Sequence, residues 1–281
     1  MIQTASRKFT TPWLAVAVLA GGPSFPVTGT QKTSDRPYTI AYGSFAPVRP
    51  NLFIADGNGE HIKPLLRNAD VDYNASFSRD GVWIVFTSER NGSADIYRAH
   101  ADGSALERLT DDPAFDDQGV LSPDGRTLAF VSTRGGAAHI WLLDLGTRKL
   151  TCLTRGSTGD FRPVWSPDGE WIAFSSDRAG STDIWVGRRD GSDLRRLTFL
   201  DGFAGTPRWS PDGKKIVFES TRDGQSEIYW IDTQTKWTFS ISAHARTIAY
   251  CRLIVRCIIF FPVLRMGDRS YIRLSIAKTA T

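Results

Sequence analysis

The sequence predicts an all-β fold, a beta-propeller of four-stranded antiparallel blades that repeat every 44 residues. Three observations carry this reading. Asp-Gly pairs fall at Asp80-Gly81, Asp124-Gly125, Asp168-Gly169 and Asp212-Gly213, each 44 residues after the last. Other columns keep the same period: Arg90, Arg134, Arg178 and Arg222, and Ile96, Ile140, Ile184 and Ile228, each Ile followed by Tyr or Trp. No segment within 35–237 shows a helical period; short alternating runs separated by Gly and Pro read as strands and turns. A four-stranded sheet of about 40–45 residues, repeated, is a propeller blade.

The chain has 281 residues, 41% hydrophobic and 23% charged, which are globular values with ample length for a core. Its net charge of +4 invites a nucleic-acid reading. The distribution argues otherwise. Residues 1–34 hold three bases and no acid, residues 238–281 hold seven bases and one acid, and residues 35–237 hold 24 bases against 29 acids. An acidic body does not suit a phosphate backbone, so no nucleic acid is expected. Three cysteines, Cys152, Cys251 and Cys257, are too few for a disulfide scaffold and lack zinc-ligand spacing.

At the N-terminus, Arg7 and Lys8 precede the apolar run Trp13–Ala20, and Gly21-Gly22-Pro23 follows it. This is the layout of a secretory signal peptide over 1–22, with a linker over 23–37 and a periplasmic or secreted destination. The repeats span 38–237, with four clear blades and a degenerate first copy. Within that copy Ile40-Ala41-Tyr42 lies one period before Ile84-Val85-Phe86, and Leu52-Phe53 before Ile96-Tyr97.

One copy illustrates the blade. Arg162–Trp165 is a first strand, Ser166-Pro167-Asp168-Gly169 a turn, and Trp171–Ser175 a second strand. After a turn at Asp177–Gly180, Asp183–Val186 is the third strand and Arg195–Thr198 the fourth. Pro presets one turn dihedral, Asp caps its own backbone and Gly takes the left-handed conformation. The turn columns Asp80, Gly81, Asp124, Gly125, Asp168, Gly169, Asp212 and Gly213 are therefore structural. The recurrent Arg is expected to bridge to a nearby turn carboxylate or carbonyl, and Asp95, Asp183 and Glu227, five residues on, are local candidates.

Residues 238–281 are atypical, basic and apolar, and lie outside the repeat. Arg252 and Arg256 interrupt the apolar stretch Thr247–Leu264, each at a cost of roughly 2.5–3.5 kcal/mol at a bilayer centre, so no stable span is expected. Replacement strands that finish the last blade or seal the open ring are one reading. A tail from a truncated or shifted reading frame is the preferred one, and the propeller is then incomplete.

The pattern Trp/Phe-Ser-Pro-Asp-Gly, x-Ile-Ala-Phe, Ser-x-Arg-x-Gly, Asp/Glu-Ile-Tyr/Trp, Asp-Gly, Arg-Leu-Thr resembles the WD-like propeller repeat of the TolB family over 38–237. The resemblance implies a propeller found in bacterial exported proteins and in some serine peptidases. TolB-family proteins also carry an N-terminal α/β domain and bind envelope partners. Only about fifteen residues separate the leader from the first blade, so the resemblance extends to the propeller part only.

Function is expected where the copies differ, on the loop leading into each first strand, which opens on the channel mouth. Asp72, Asp116 and Asp160 hold matching places there, with Asp112 and Phe115 beside the second. These five are the candidate partner-binding residues. A carboxylate cluster suits a basic peptide, sugar hydroxyls or a cation; solvated loop acids that cap backbone groups are the alternative. No Gly-x-Ser-x-Gly elbow, metal-ligand histidine spacing or phosphate-cradling glycine motif is present. The expectation is an exported TolB-like propeller that binds a protein or peptide, with no catalysis, catalytic residue, metal or cofactor. The alternative is the propeller portion of an exported serine hydrolase lacking its catalytic domain.

Overall fold

The computed structural model describes residues 38–46, 49–56, 60–66, 71–199, 202–234, 238–240 and 274–278. The leader 1–22, the linker 23–37 and most of 238–281 lie outside the described residues. Every regular element among the described residues is a β-strand, arranged as antiparallel four-stranded sheets.

Four sheets follow the chain as simple meanders. The first of these holds β4 (Asp72–Phe77), β5 (Trp83–Ser88), β6 (Asp95–His100) and β7 (Glu107–Arg108). The next holds β8 (Asp116–Leu121), β9 (Thr127–Gly135), β10 (Ala137–Asp144) and β11 (Leu150–Cys152). Then come β12 (Asp160–Trp165), β13 (Trp171–Ser176), β14 (Asp183–Arg188) and β15 (Arg195–Arg196). The last has β16 (Ala204–Trp209), β17 (Lys215–Ser220), β18 (Glu227–Asp232) and β19 (Thr238–Ser240).

The degenerate N-terminal copy forms β1 (Tyr38–Ala46), β2 (Arg49–Asp56) and β3 (Lys63–Pro64). Its inner edge is taken by β20 (Leu274–Lys278), with Ile40 opposite Ile276. That is the edge which β4, β8, β12 and β16 occupy in their own sheets. These inner strands neighbour one another, so they line the propeller axis.

The blades pack face on face through the recurrent apolar columns. Val85, Ile96 and Leu109 of one blade meet Leu121, Leu128 and Phe130 of the next. Ala173, Ile184 and Leu197 meet Ala204, Ile216 and Phe218 in the same way. Ile96, Ile140 and Ile184 are completely buried, each contributing roughly 1.5–3 kcal/mol by leaving water. Ile228, in the last sheet, is only half-buried.

Each Ser-x-Asp-Gly turn is a closed hydrogen-bond unit. In the third, the Ser166 hydroxyl donates to Asp168, accepts from the Trp171 amide at 2.9 Å, and the Gly169 amide donates to the Ser166 carbonyl at 2.9 Å. Gly169 has φ +76°, a left-handed value that explains why glycine stands there. Ser78, Ser122 and Ser210 act identically on Asp80, Asp124 and Asp212. These hydroxyls hold the three carboxyl groups below their usual pKa. At Asp168 burial pushes the pKa up, but Ser166 and the Glu170 amide outweigh it and the net shift is down.

The recurrent arginines make a second unit, and their partners differ from the expected ones. Arg90 reaches back eighteen residues to Asp72 at 3.0 Å, Arg134 to Asp116 at 2.6 Å and Arg178 to Asp160 at 2.7 Å. Each also donates through Nε to a serine at 2.8 Å: Ser88, Ser132 and Ser176. The guanidinium lies over the third-strand aromatic, Tyr97, Trp141 or Trp185. Asp95 and Asp183 instead take Arg108 and Arg196, at 2.6 and 2.5 Å. The local pairing five residues on is thereby corrected: a strand continues through Asp95 and turns that carboxylate toward its own fourth strand. In the last blade Ala204 replaces the aspartate, and Arg222 lies over the Tyr229 ring and pairs with the exposed Asp223 at 3.5 Å.

Two outcomes follow from these units. The turn carboxylates have folded pKa values below their unfolded ones, so their stabilisation is full above about pH 4 and is lost as pH falls through the folded value. Urea midpoints of the wild type and Asp124→Asn are expected to differ at pH 7 and converge toward pH 2; a constant gap would exclude this role. Arg134→Met leaves Asp116 buried and uncompensated and is expected to cost about 3–5 kcal/mol. Arg222→Met is expected to cost about 1 kcal/mol, since it removes a solvent-screened ion pair and one contact with the Tyr229 ring but strands no buried charge. Urea denaturation of the two variants at pH 7 measures the contrast.

Candidate functional site

The inner strand of each clear blade carries a bulge at the same place. Pairing shifts between Tyr73 and Ser76, Asp117 and Val120, Phe161 and Val164, and Gly205 and Arg208. The residue at each bulge is left-handed without being glycine: Asn74 (φ 52°), Gln118 (57°), Arg162 (56°) and Thr206 (54°). Such a residue costs about 1–3 kcal/mol unless its surroundings hold it, and such strain gathers at binding sites. An extra residue in the strand re-aims the side chains beside it. Here the bulges sit on the strands that line the axis.

Between the first two clear blades this arrangement is filled by the protein itself. The buried Asp117 carboxylate accepts from Asn74 Nδ2 at 2.8 and 3.0 Å and from the Thr87 hydroxyl at 2.7 Å. It also accepts from the Gln118 amide at 2.7 Å and from Gln118 Nε2 at 3.1 Å. Gln118 Oε1 then accepts from the Arg162 backbone amide at 2.7 Å, which links successive bulges. Beside this network the Tyr73 hydroxyl donates to Glu89 at 3.1 Å. Burial, with Asp117 and Glu89 nearby, raises the Tyr73 pKa, so the phenol keeps its proton.

Farther round the axis lies a cavity of about 280 Å³ lined by Gln118, Phe161, Arg162, Ser175, Thr182 and Phe203. Asp177 also borders it and accepts from the Thr182 hydroxyl at 2.6 Å. Arg162 is open to the channel, and among the described residues its guanidinium has no ion-pair partner within 4 Å. The surrounding wall pulls its pKa down, with Glu219 and Asp117 opposing. Ser175 is 3% exposed, and among the described residues its Oγ has no hydrogen-bond partner. Phe203 is 37% exposed, and its ring occupies the space into which a side chain at Gly205 would project.

The sequence-predicted residues fall into two groups. Asp72, Asp116 and Asp160 are 1% exposed or less and are engaged by Arg90, Arg134 and Arg178. Their carboxylates serve the blade rather than facing the mouth. His139 adds to Asp160 from the preceding blade, 3.4 Å away. Asp112 and Phe115 do face outward. Asp112 accepts from the Ala114 amide at 2.9 Å, and Phe115 is 45% exposed on the same loop side as Phe203. Among the five, only these two are reachable from the loop side.

Asn74, Gln118, Arg162 and Ser175 were not singled out by sequence reasoning. The bulge residues do stand 44 apart, but they share no residue type, so only their common backbone geometry shows the column. Arg79, which stands where later copies have Pro, is explained on the opposite, turn side. Its guanidinium donates to the Pro167 carbonyl two blades away. It borders a second cavity of about 280 Å³ with Asp124, Asp168 and Arg189. Asp56, Glu60 and His61 come close enough to share an ion, but Asp56 already caps the Glu60 amide at 2.8 Å and holds His61 at 2.9 Å in an exposed turn.

Comparison with known proteins agrees with this architecture. Residues 113–242 match the family described as TolB beta propeller domain. TolB from Acinetobacter baumannii superposes with a TM-score of 0.65 at 27% identity, covering 72% of this chain and 52% of that one. The putative TolB from Agrobacterium tumefaciens gives 0.60 at 21% identity, covering 73% and 88%. An uncharacterized protein of Agrobacterium fabrum is 49% identical over 45 residues, 16% of this chain and 14% of the relative. The chain thus matches about half the length of the Acinetobacter TolB and a small part of the curated relative. Puromycin hydrolase shares the fold alone, at 18% identity and a TM-score of 0.57, with 74% of this chain laid over 35% of that enzyme. The repeats of this chain form a beta propeller similar to that of TolB.

Proposed function

We propose that the protein is an exported binding module of the cell envelope, which docks a protein or peptide at the loop side of its channel and performs no chemistry itself. One observation carries the reading: Arg162, without an ion-pair partner among the described residues, stands in a cavity on the axis walled by Phe161 and the exposed Phe203, and Phe115 is exposed at the place equivalent to Phe203 two blades earlier. Concave sites with apolar walls and few placed polar groups are where ligands bind. Exposed aromatics supply contact area at low entropy cost. Export rests on the leader-like residues 1–22, and a periplasmic destination is in keeping with the TolB-type repeat.

The second reading, a propeller that gates a hydrolase domain, rests on the fold shared with puromycin hydrolase. In that case the same mouth would admit substrate rather than hold a partner.

Selection of a displayed dodecapeptide pool on the folded chain tests the first reading. Recovered peptides are expected to lose about tenfold or more in affinity on Phe115→Ser/Phe203→Ser, in line with loss of an aromatic anchor. They are expected to be indifferent to Arg79→Ala on the turn side. Peptides unaffected by the double substitution would overturn docking at this face.

A further inference from the structure

The repeat contains its own template for the cavity ligand. Moving 88 residues along the chain carries Asn74 to Arg162, Thr87 to Ser175 and Asp117 to Gly205. In the template, the amide of Asn74 and the hydroxyl of Thr87 converge on the Asp117 carboxylate. In the intermediate copy the same three places hold Gln118, Val131 and Phe161, and the hydroxyl–carboxylate pair becomes an apolar one inside a shared core cluster.

In the third copy the donors return without the acceptor. Arg162 and Ser175 both line the cavity, the position of the carboxylate is a glycine, and the buried Ser175 Oγ is unpartnered. The donor has also changed from a neutral amide to a guanidinium, which favours an anionic acceptor with planar geometry. A buried hydroxyl left without a partner is destabilising, and a bound acceptor would remove that penalty.

We infer that this cavity binds a carboxylate supplied from outside the chain, received by Arg162 and Ser175 as Asp117 is received by Asn74 and Thr87. The remaining walls define what the carboxylate is attached to. Phe161 and Phe203 present rings, so the adjoining group is aromatic or otherwise apolar. Asp177 already has a hydroxyl donor in Thr182 and repels an anion from its own end of the cavity, while Glu219, held by the Ser226 hydroxyl, lies close enough to Arg162 to compete for it. This inference rests on the binding reading above and names the ligand chemistry for it. Two sources fit: a free small organic acid, or the carboxyl end of a peptide.

Isothermal titration of the full chain with phenylacetate and with phenylacetamide tests it. The acid is expected to bind about ten- to hundredfold more tightly than the amide, the equivalent of one charge-assisted hydrogen-bond pair. Arg162→Gln is expected to lose the same factor, and Arg162→Lys to keep part of it. Gly205→Asp combined with Phe203→Ala places a carboxylate opposite Ser175 without the ring clash and is expected to block phenylacetate. Urea midpoints verify that each variant is folded. Equal affinity for acid and amide, undiminished binding by Arg162→Gln, or no binding of phenylacetate to the wild type overturns the inference.

A tripeptide ending in Phe, as free acid and as C-terminal amide, separates the sources. If phenylacetate binds through Arg162 while peptides do not, the carboxylate site stands and the peptide reading falls. If peptides bind at Phe115 and Phe203 regardless of amidation or Arg162, the docking reading stands and the carboxylate site falls.

Discussion

The buried aspartate–arginine pair at the head of three of the four clear blades is the constraint on which this propeller depends. Asp72, Asp116 and Asp160 begin the inner strand, while their arginines stand at the end of the second strand or just past it. One ion pair therefore fixes the axial end of a strand against the far hairpin of the same sheet. The serine beneath and the aromatic above orient the guanidinium, and the aromatic next to the buried isoleucine holds that stack against the neighbouring blade. Charge, hydrogen bond and apolar packing meet at one residue. Such a pair adds little by itself because desolvation offsets attraction, but it penalises any arrangement that separates the partners. It specifies the blade more than it stabilises it.

Much of this architecture was legible in the sequence because its causes are local. A turn that needs glycine at a left-handed position needs it in every copy, and a strand that faces two neighbouring blades must alternate with the same period. The Leu-Thr column follows the same logic. Thr110, Thr154 and Thr198 accept the amides of Ile96, Ile140 and Ile184 at 2.9–3.0 Å and dock the short fourth strand. The site was less legible. Whether Asp116 faces water or an arginine is decided by residues eighteen positions away, which a loop's composition does not report. The bulge positions were hidden for the opposite reason, since comparing copies by identity finds what is constant and passes over Asn74, Gln118, Arg162 and Thr206.

The two ends of the axis are finished in different ways. On the turn side Arg79 spans to the Pro167 carbonyl, so that mouth is bridged by the protein's own side chain. On the loop side Phe203 remains exposed beside Arg162, and Phe115 is exposed at the equivalent place two blades earlier. The acidic body noted in the composition is compatible with a basic centre, because the carboxylates are committed to turns and clamps while the arginine on the axis is not. Net charge describes the surface a partner approaches; it says little about the single group that a ligand meets.

The bulges separate two sets of demands on one strand. Residues before and after the interruption pack between blades and are held to a narrow range of size and polarity. The left-handed residue within it answers only to the axis. Amide, guanidinium and hydroxyl side chains already occupy that one backbone geometry in this chain. A lineage built on such a strand can exchange what lines its channel one position at a time while the blades stay intact. The repeat is thus conservative as a scaffold and permissive as a receptor, and both properties come from a single extra residue per strand.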